Sequence, residues 1–534
     1  MRLLRQAVRA RDTGALTKAE RLYTAVLQFH PENFEALHGL GLVHYLRGQI
    51  DTAVVLFQTA LKYDCERSEG YSSLGLMFHL LGRFDDALTS YDAGLSLAPG
   101  NAELLNRRGV ALLELRRPQE AIADFERVVA ADPANLDALG NYGNVLLKLN
   151  RPQEALAAYD LALAALPENP QLLTNRAVAL RRLDRPQEAV MSASRALVAR
   201  PDFAQARFVE SVARLTLGDF HDGWQGYESR WSVGLLATQR RSFTAPLWLG
   251  QKTPNLSLQG KTILLHAEQG FGDSIQFVRY ARLVAACGAK KIIVEVQPEL
   301  ARLFSTIPFV DAVIPRGEPL PPFDCHCPLL SLPLAFATDL ATIPAATSYL
   351  AADDEEAAVW RTRLPERRPL VGVAWSGERS HDNDLNRSLR LETLLPLFDL
   401  PHMTFVSLQH LVREEDASVL RSRPDIVRIG EEFSDFADTA AAIAGLDAVI
   451  SVDTAVAHLA GAMGKPLFLL LPFAADFRWL RERQDSPWYP TTYLYRQPKF
   501  GDWKSVVEAL CRRLVCDIQR QNTVTLPVAE KLSA

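Results

Sequence analysis

Apolar and small residues recur along the first part of the chain with a period of 34 residues. Prolines stand at Pro31, Pro99, Pro133, Pro167 and Pro201, with Cys65 where one more would fall. One small column reads Gly41, Gly75, Gly109, Gly143, Ala177 and Ser211; a second reads Ala19, Ala53, Ala87, Ala121, Ala155, Ala189 and Gly223. Four residues beyond the second column come Tyr23, Phe57, Tyr91, Phe125, Tyr159 and Tyr227, with Ala193 the one gap. These columns predict stacked helix pairs. Small residues let two helices approach, the aromatic fills the space between neighbouring pairs, and each proline ends a helix because it lacks an N–H and clashes with the preceding turn. Gly48, Gly82 and Gly218 fall at the turn inside a pair, a place taken elsewhere by Arg116, Asn150 and Asp184.

This pattern resembles the tetratricopeptide repeat over residues 1–235, about seven units, and implies an all-α solenoid. Such solenoids offer a groove to a protein or peptide. Asn141, Asn144 and Asn175 fall on the face that lines it. In tetratricopeptide proteins that glycosylate other proteins, an asparagine ladder there grips the substrate backbone; here Gly39, Ser73 and Arg107 interrupt it. Solvated side chains or local turn caps are the other reading.

After Trp231 the register stops, and residues 236–258, with Pro246 and Pro254, read as a linker. Short apolar runs then alternate with helical patterns. The runs 262–266, 291–296, 369–375, 404–408, 448–452 and 466–471 read as buried parallel strands, and 273–287, 298–306, 391–400, 436–446 and 455–463 as helices. The expected architecture is α/β, with two Rossmann-like halves at residues 259–355 and 356–520 and a tail at 521–534. Ligands of open parallel sheets sit at the carboxyl ends of strands, and three polar clusters occupy such places. The first is His266, Gln269, Gly270, Gly272 and Asp273, where glycines allow close backbone approach and Asp273 opens a helix. Asp273 with Gln276 also reads as a helix cap. The second is a polar loop holding Ser376, Gly377, Arg387 and Ser388, suited to a pyrophosphate; a solvated surface loop is its alternative. The third joins Asp453, Thr454 and His458 at a strand end and first helical turn, where they also fit a cap and a core histidine.

Together the three clusters resemble glycosyltransferases of the bacterial heptosyltransferase type (family 9) on the GT-B fold. The run VDTAVAHLAGAMGKP is similar to that family's nucleotide-sugar signature, with Ala455 in place of its usual glycine. GFGD is similar to its first-loop G-x-G-D, whose aspartate is the catalytic base. The resemblance implies an inverting transfer from a nucleotide-diphosphate sugar with Asp273 as base. Ser376, Gly377, Arg387, Ser388, Asp453, Thr454 and His458 would hold the donor, and His266, Gln269, Gly270 and Gly272 would form the acceptor loop, with no metal and no cofactor. Repeats joined to such a half also resemble protein O-GlcNAc transferases in architecture alone.

Composition narrows the classes. At 534 residues the chain exceeds one hydrophobic core, and 48% hydrophobic with 23% charged residues excludes wholesale disorder. A net charge of −5 gives no reason to expect nucleic acid as a partner. The longest apolar run, 466–475, is half of a membrane span. Charges break the N-terminal apolar runs, which reads as no secretory signal, and six cysteines in this length fit a reducing cytoplasm. Cys325-His326-Cys327 has no second pair and reads as structural. The leading expectation is a cytoplasmic glycosyltransferase whose repeats recruit a protein acceptor. A non-catalytic repeat scaffold with a degenerate ligand-binding half is the alternative. An enzyme acting on lipid-linked or surface saccharides, with repeats used for oligomerisation, is the third.

Overall fold

A computed structural model describes residues 2–524, which divide between Ala179 and Leu180 into two compact units. Residues 525–534 of the expected tail lie outside the described residues, and its first residues continue the helix Trp503–Val524.

The first unit is all helical. Helices Arg2–Asp12 and Leu16–Phe29 form the first pair, followed by Phe34–Leu46 with Ile50–Tyr63, Ser68–Leu80 with Phe84–Leu97, Ala102–Glu114 with Pro118–Ala131, and Leu136–Lys148 with Pro152–Ala165. The turn inside each pair needs a left-handed residue. Gly14, Gly48 and Gly82 supply it without strain at φ of 76°, 75° and 72°. Arg116 (φ 57°) and Asn150 (φ 61°) adopt it against the steric cost of a Cβ, about 1 kcal/mol each, so the stack rather than local preference sets these turns. A further column starts the helices: Asn33, Asn101, Asn135 and Asn169 each accept a hydrogen bond from the N–H three residues on, at 2.8–3.1 Å. Tyr23, Phe57, Tyr91, Phe125 and Tyr159 are fully buried. Tyr23 lies against Gly39 and the other four rings against the glycine column, so that a Cβ on Gly109 would stand 2.6 Å from Phe125 Cζ.

In the second unit, strands β1 (Thr262–His266), β2 (Lys291–Val296), β3 (Ala312–Pro315) and β4 (Cys325–Pro328) form a parallel sheet in the order β3-β2-β1-β4. Strands β5 (Leu370–Ala374), β6 (Thr404–Ser407), β7 (Val427–Arg428), β8 (Ala448–Val452), β9 (Leu467–Leu471) and β10 (Thr492–Arg496) form a second, in the order β10-β9-β8-β5-β6-β7. Every residue of β5 and β9 is buried, as strands covered on both faces require. Half of the apolar run 466–475 is therefore β9, and among the described residues no helix is long and apolar enough to cross a membrane. Cys325 and Cys327 point into the core from β4, with His326 between them on the opposite face.

The pattern did not reveal β3, β4, β7 or β10. The helix expected at 273–287 begins earlier and is broken, running Phe271–Phe277, Val278–Tyr280 and Ala281–Ala286. The loop expected to be irregular throughout 376–388 contains a helical turn at Asp384–Arg387. The boundary expected at residue 235 falls inside this unit: Leu215, Phe220, Trp224 and Tyr227 share one apolar core with Ile263, Phe277 and Phe477.

The glycine–aromatic contact makes a direct test. Gly109→Ala should destabilise the repeats by about 1–3 kcal/mol through overpacking. Gly140→Ala, whose Cβ would meet Leu172 Cδ2 at an ordinary 3.4 Å, should be neutral or stabilising by up to about 1 kcal/mol. Chemical denaturation followed by circular dichroism reads both, and equal effects would refute the packing account.

Candidate functional site

The loop leaving β1 turns sharply at Gln269, which has a left-handed φ of 63°. The conformation is held from both sides. Gln269 Nε2 donates to Tyr227 Oη at 3.1 Å, and Gln297 Nε2 donates to the Gln269 carbonyl at 3.1 Å. Gly270 then caps the helix Phe271–Phe277. Asp273 is the third residue of that helix rather than its cap, and its Oδ2 accepts from the Gly270 N–H at 2.8 Å. Gln276 is not its capping partner. Gly272 meets His458 of the helix Ala455–Ala462: a Cβ there would lie 2.7 Å from His458 Cδ2. The glycine therefore permits the loop after β1 to touch the helix after β8. His266 leaves this cluster, pairing Nε2 with His326 Nδ1 at 3.2 Å against Phe243. Burial first, and then His326, push its pKa down to about 3.

Arg478 occupies the centre. It lies in the turn Phe477–Trp479 beyond β9 and has a side chain 9% exposed. Its Nη2 donates to Asp273 Oδ1, its Nε to Gln276 Oε1 at 2.7 Å, and its Nη1 to Asp476 Oδ1 at 2.7 Å. Burial opposes the charge, but Asp476 and Asp273 more than offset it and raise the pKa of Arg478. Left-handed φ values at Leu480 (51°) and Glu482 (54°) shape the chain just beyond.

Below this lie the residues after β8. His458 is buried, with Nδ1 2.8 Å from Tyr489 Oη, its ring stacked on Trp479 at 5.3 Å, and Nε2 3.7 Å from Asp453 Oδ1. Burial and then Arg478 lower its pKa to about 3, so the imidazole is neutral. Burial raises Asp453 to about 6, with Asp476 adding to the effect and Arg387 opposing it. Thr454 caps the helix Ala455–Ala462 by position only, its Oγ1 lying 3.1 Å from Ser451 Oγ.

The loop after β5 approaches through Arg387, whose Nη1 donates to the Asp453 carbonyl at 3.0 Å and whose guanidinium lies over Gly377. Arg387 Nε and Ser376 Oγ are buried without a hydrogen-bond partner among the described residues. Ser388 serves its own loop instead: its hydroxyl donates to Asp384 Oδ1 at 2.6 Å and accepts from the Gly377 N–H at 2.9 Å.

Asp273, Gly272, His458, Asp453 and Arg387 thus form one connected set, whereas His266 and Ser388 are engaged elsewhere. Arg478 and Asp476 complete the set and were missed. The signal existed, because both follow the strand-like run 466–471, a fourth strand end with polar residues. His381, on the loop after β5, is a further neighbour, held below its ordinary pKa by burial and then by Arg387. Among the described residues no group of three or more His, Cys, Asp or Glu is placed to hold a metal ion. In the first unit, Asn141 Nδ2 donates to Asn106 Oδ1 and Asn175 Nδ2 to Asn144 Oδ1, both at 2.9 Å. The asparagines bond to one another, neither capping turns nor standing free.

The tetratricopeptide repeat family model matches residues 4–65, 47–102 and 106–170. The N-terminal region carries tetratricopeptide repeats. Protein FlbA of Caulobacter vibrioides is 26% identical over 328 residues, covering 56% of this chain and 53% of that protein. The chain thus spans about half the length of that relative. A tetratricopeptide repeat protein from Parabacteroides merdae is 17% identical, with a TM-score of 0.38 over 44% of this chain and 95% of its own. PilF of Pseudomonas aeruginosa is 15% identical, with a TM-score of 0.36 over 38% of this chain and 93% of its own.

Asp453 gives this cluster a pH signature. Its folded carboxyl keeps a proton up to about pH 6, against 3.8 for the ordinary group, so between those values the folded chain binds more protons than the unfolded one. Its contribution to stability therefore falls as pH rises from about 4 to 6 and stays lost above. Asp453→Asn should flatten that slope and raise stability at neutral pH by about 1–2 kcal/mol. Urea titrations of both proteins across this range check it; parallel slopes would mean that Asp453 ionises normally.

Proposed function

We propose that the chain is a glycosyltransferase of GT-B architecture that moves a sugar from a nucleotide-diphosphate sugar to a protein acceptor held by the repeats. The observation that carries this reading is the meeting of two parallel sheets' strand-end loops at Gly272 and His458. That meeting gathers one carboxylate on the first side with two guanidiniums and Asp453 on the other. Strand-end loops are where α/β sheets bind ligands, and guanidiniums suit phosphate oxygens. The repeats supply an architecture made for protein partners.

In this reading Asp273 takes the proton from the acceptor hydroxyl while its oxygen bonds to the anomeric carbon. The bond from that carbon to the donor phosphate breaks, and its electron pair leaves with the nucleoside diphosphate. Arg387 and Arg478 stabilise that leaving charge, replacing a cation. Arg478 engages Asp273 Oδ1 in an ion pair. A diphosphate that draws Arg478 to itself relieves the pairing, so the donor binds first and prepares the base. The same ion pair favours a second reading, a repeat scaffold whose sheet region binds a ligand without turnover.

A thermal-shift screen of nucleoside diphosphates and their sugars on the full chain separates the two. One nucleotide should stabilise the protein, and Arg478→Gln should weaken its binding at least tenfold. Asp273→Asn should spare binding but lower transfer by about 10²–10⁴-fold, and transfer should persist in EDTA. Its stability cost should be modest, because Arg478 retains Asp476. Nucleotide binding with no transfer to any protein acceptor supports the scaffold, and no nucleotide binding at all sinks the transferase.

A further inference from the structure

Apart from that cluster, the loops after β1 and β3, together with Glu295 of β2 and the segment 239–241, line a cavity of about 380 Å³, within the range of small-molecule sites. Its lining includes Gln239, Arg241, Glu268, Glu295, Arg316 and Glu318, and its charges are segregated. Glu268 and Glu295 are each 2% exposed, whereas Arg241, Arg316 and Glu318 are exposed. Glu295 is ion-paired with Arg241. Glu268 is only half satisfied. Its Oε1 accepts from Arg230 Nη2 at 3.0 Å and from the Leu330 N–H at 3.2 Å, while Oε2 is buried with no partner among the described residues. A buried carboxylate oxygen left unpaired is costly, and a cationic donor compensates it more fully than a neutral hydroxyl does. At the rim, Arg316 donates one N–H to the Ala267 carbonyl, leaving the rest of its planar fork open to a carboxylate.

We propose that this cavity binds a small zwitterion of the amino-acid class, with its ammonium on Glu268 and its carboxylate on Arg316. The inference needs no transferase activity and stands apart from the reading above. Its test is isothermal titration of the full chain with the standard amino acids, followed, for any that binds, by the matching amine and α-hydroxy acid. At least one amino acid should bind, with its amine and its hydroxy acid each at least tenfold weaker. Glu268→Gln should abolish binding, but Glu268 also holds Arg230, so the exposed Arg316→Gln decides the matter. It should weaken the amino acid at least tenfold and leave the amine unchanged. Binding of no amino acid, equal binding of the hydroxy acid, or an unaffected Arg316→Gln overturns the proposal.

Discussion

The sheet region is organised around one buried guanidinium. Arg478 reaches Asp273 and Gln276 on the helix after β1 and Asp476 beside itself on the turn after β9. A buried charge is tolerable only when its donors are met, so these three acceptors fix where the two strand-end loops stand. The contact of Gly272 with His458 follows from the same approach. His458, wedged between Trp479, Tyr489 and Asp453, is in turn held neutral by burial and by the nearby guanidinium. Asp273, Gln276 and Asp476 are thus tied together by this one cation, which ranks second to burial in keeping His458 neutral.

The repeats depend on a different constraint, the pairing of a ring with a missing side chain. Tyr23, Phe57, Tyr91, Phe125 and Tyr159 are buried where glycine leaves room, and the left-handed turn inside each pair brings the two helices into that contact. Arg116 and Asn150 show which effect dominates. Their turns are locally unfavourable, yet they keep the geometry of Gly48 and Gly82 because ring packing over many residues outweighs one strained φ.

This difference explains what was legible in the sequence. The repeat is written in single residue types at a fixed spacing, so its columns, its turns and its boundaries between helices could be read directly. The central buried strands were equally plain as apolar runs. Short edge strands such as Val427–Arg428 bury little and leave no such run. The β4 segment Cys325–Pro328 reads as structural but not as a strand, because its alternation of buried cysteines with His326 spans only four residues. Asp273 and the polar strand ends were visible as candidates. Their partners were not, since Arg478 lies 205 residues from Asp273 and no local pattern links them. Ser388 and Arg387 are adjacent in sequence, yet one fastens its own loop while the other reaches Asp453. Only the fold separates those roles.

The two regions also use the same charged residues for opposite ends. In the repeats, Arg117 with Glu120 and Arg151 with Glu154 form exposed pairs three residues apart, where water screens the attraction. Such pairs favour solubility and leave the packing to the rings. In the sheet region Arg230 is wholly buried between Glu228, Glu268 and Ser331, and Arg478 between two aspartates and a glutamine. Burying those ions adds little net stability, because desolvation offsets most of the attraction. It does leave carboxyl groups far from their ordinary behaviour, Glu268 raised to about 7 and Asp453 to about 6, both chiefly by burial. Groups perturbed in this way concentrate where a protein meets a ligand, and here both stand on loops at the carboxyl ends of parallel strands. The charge that contributes least to holding the fold together therefore stands at these strand ends.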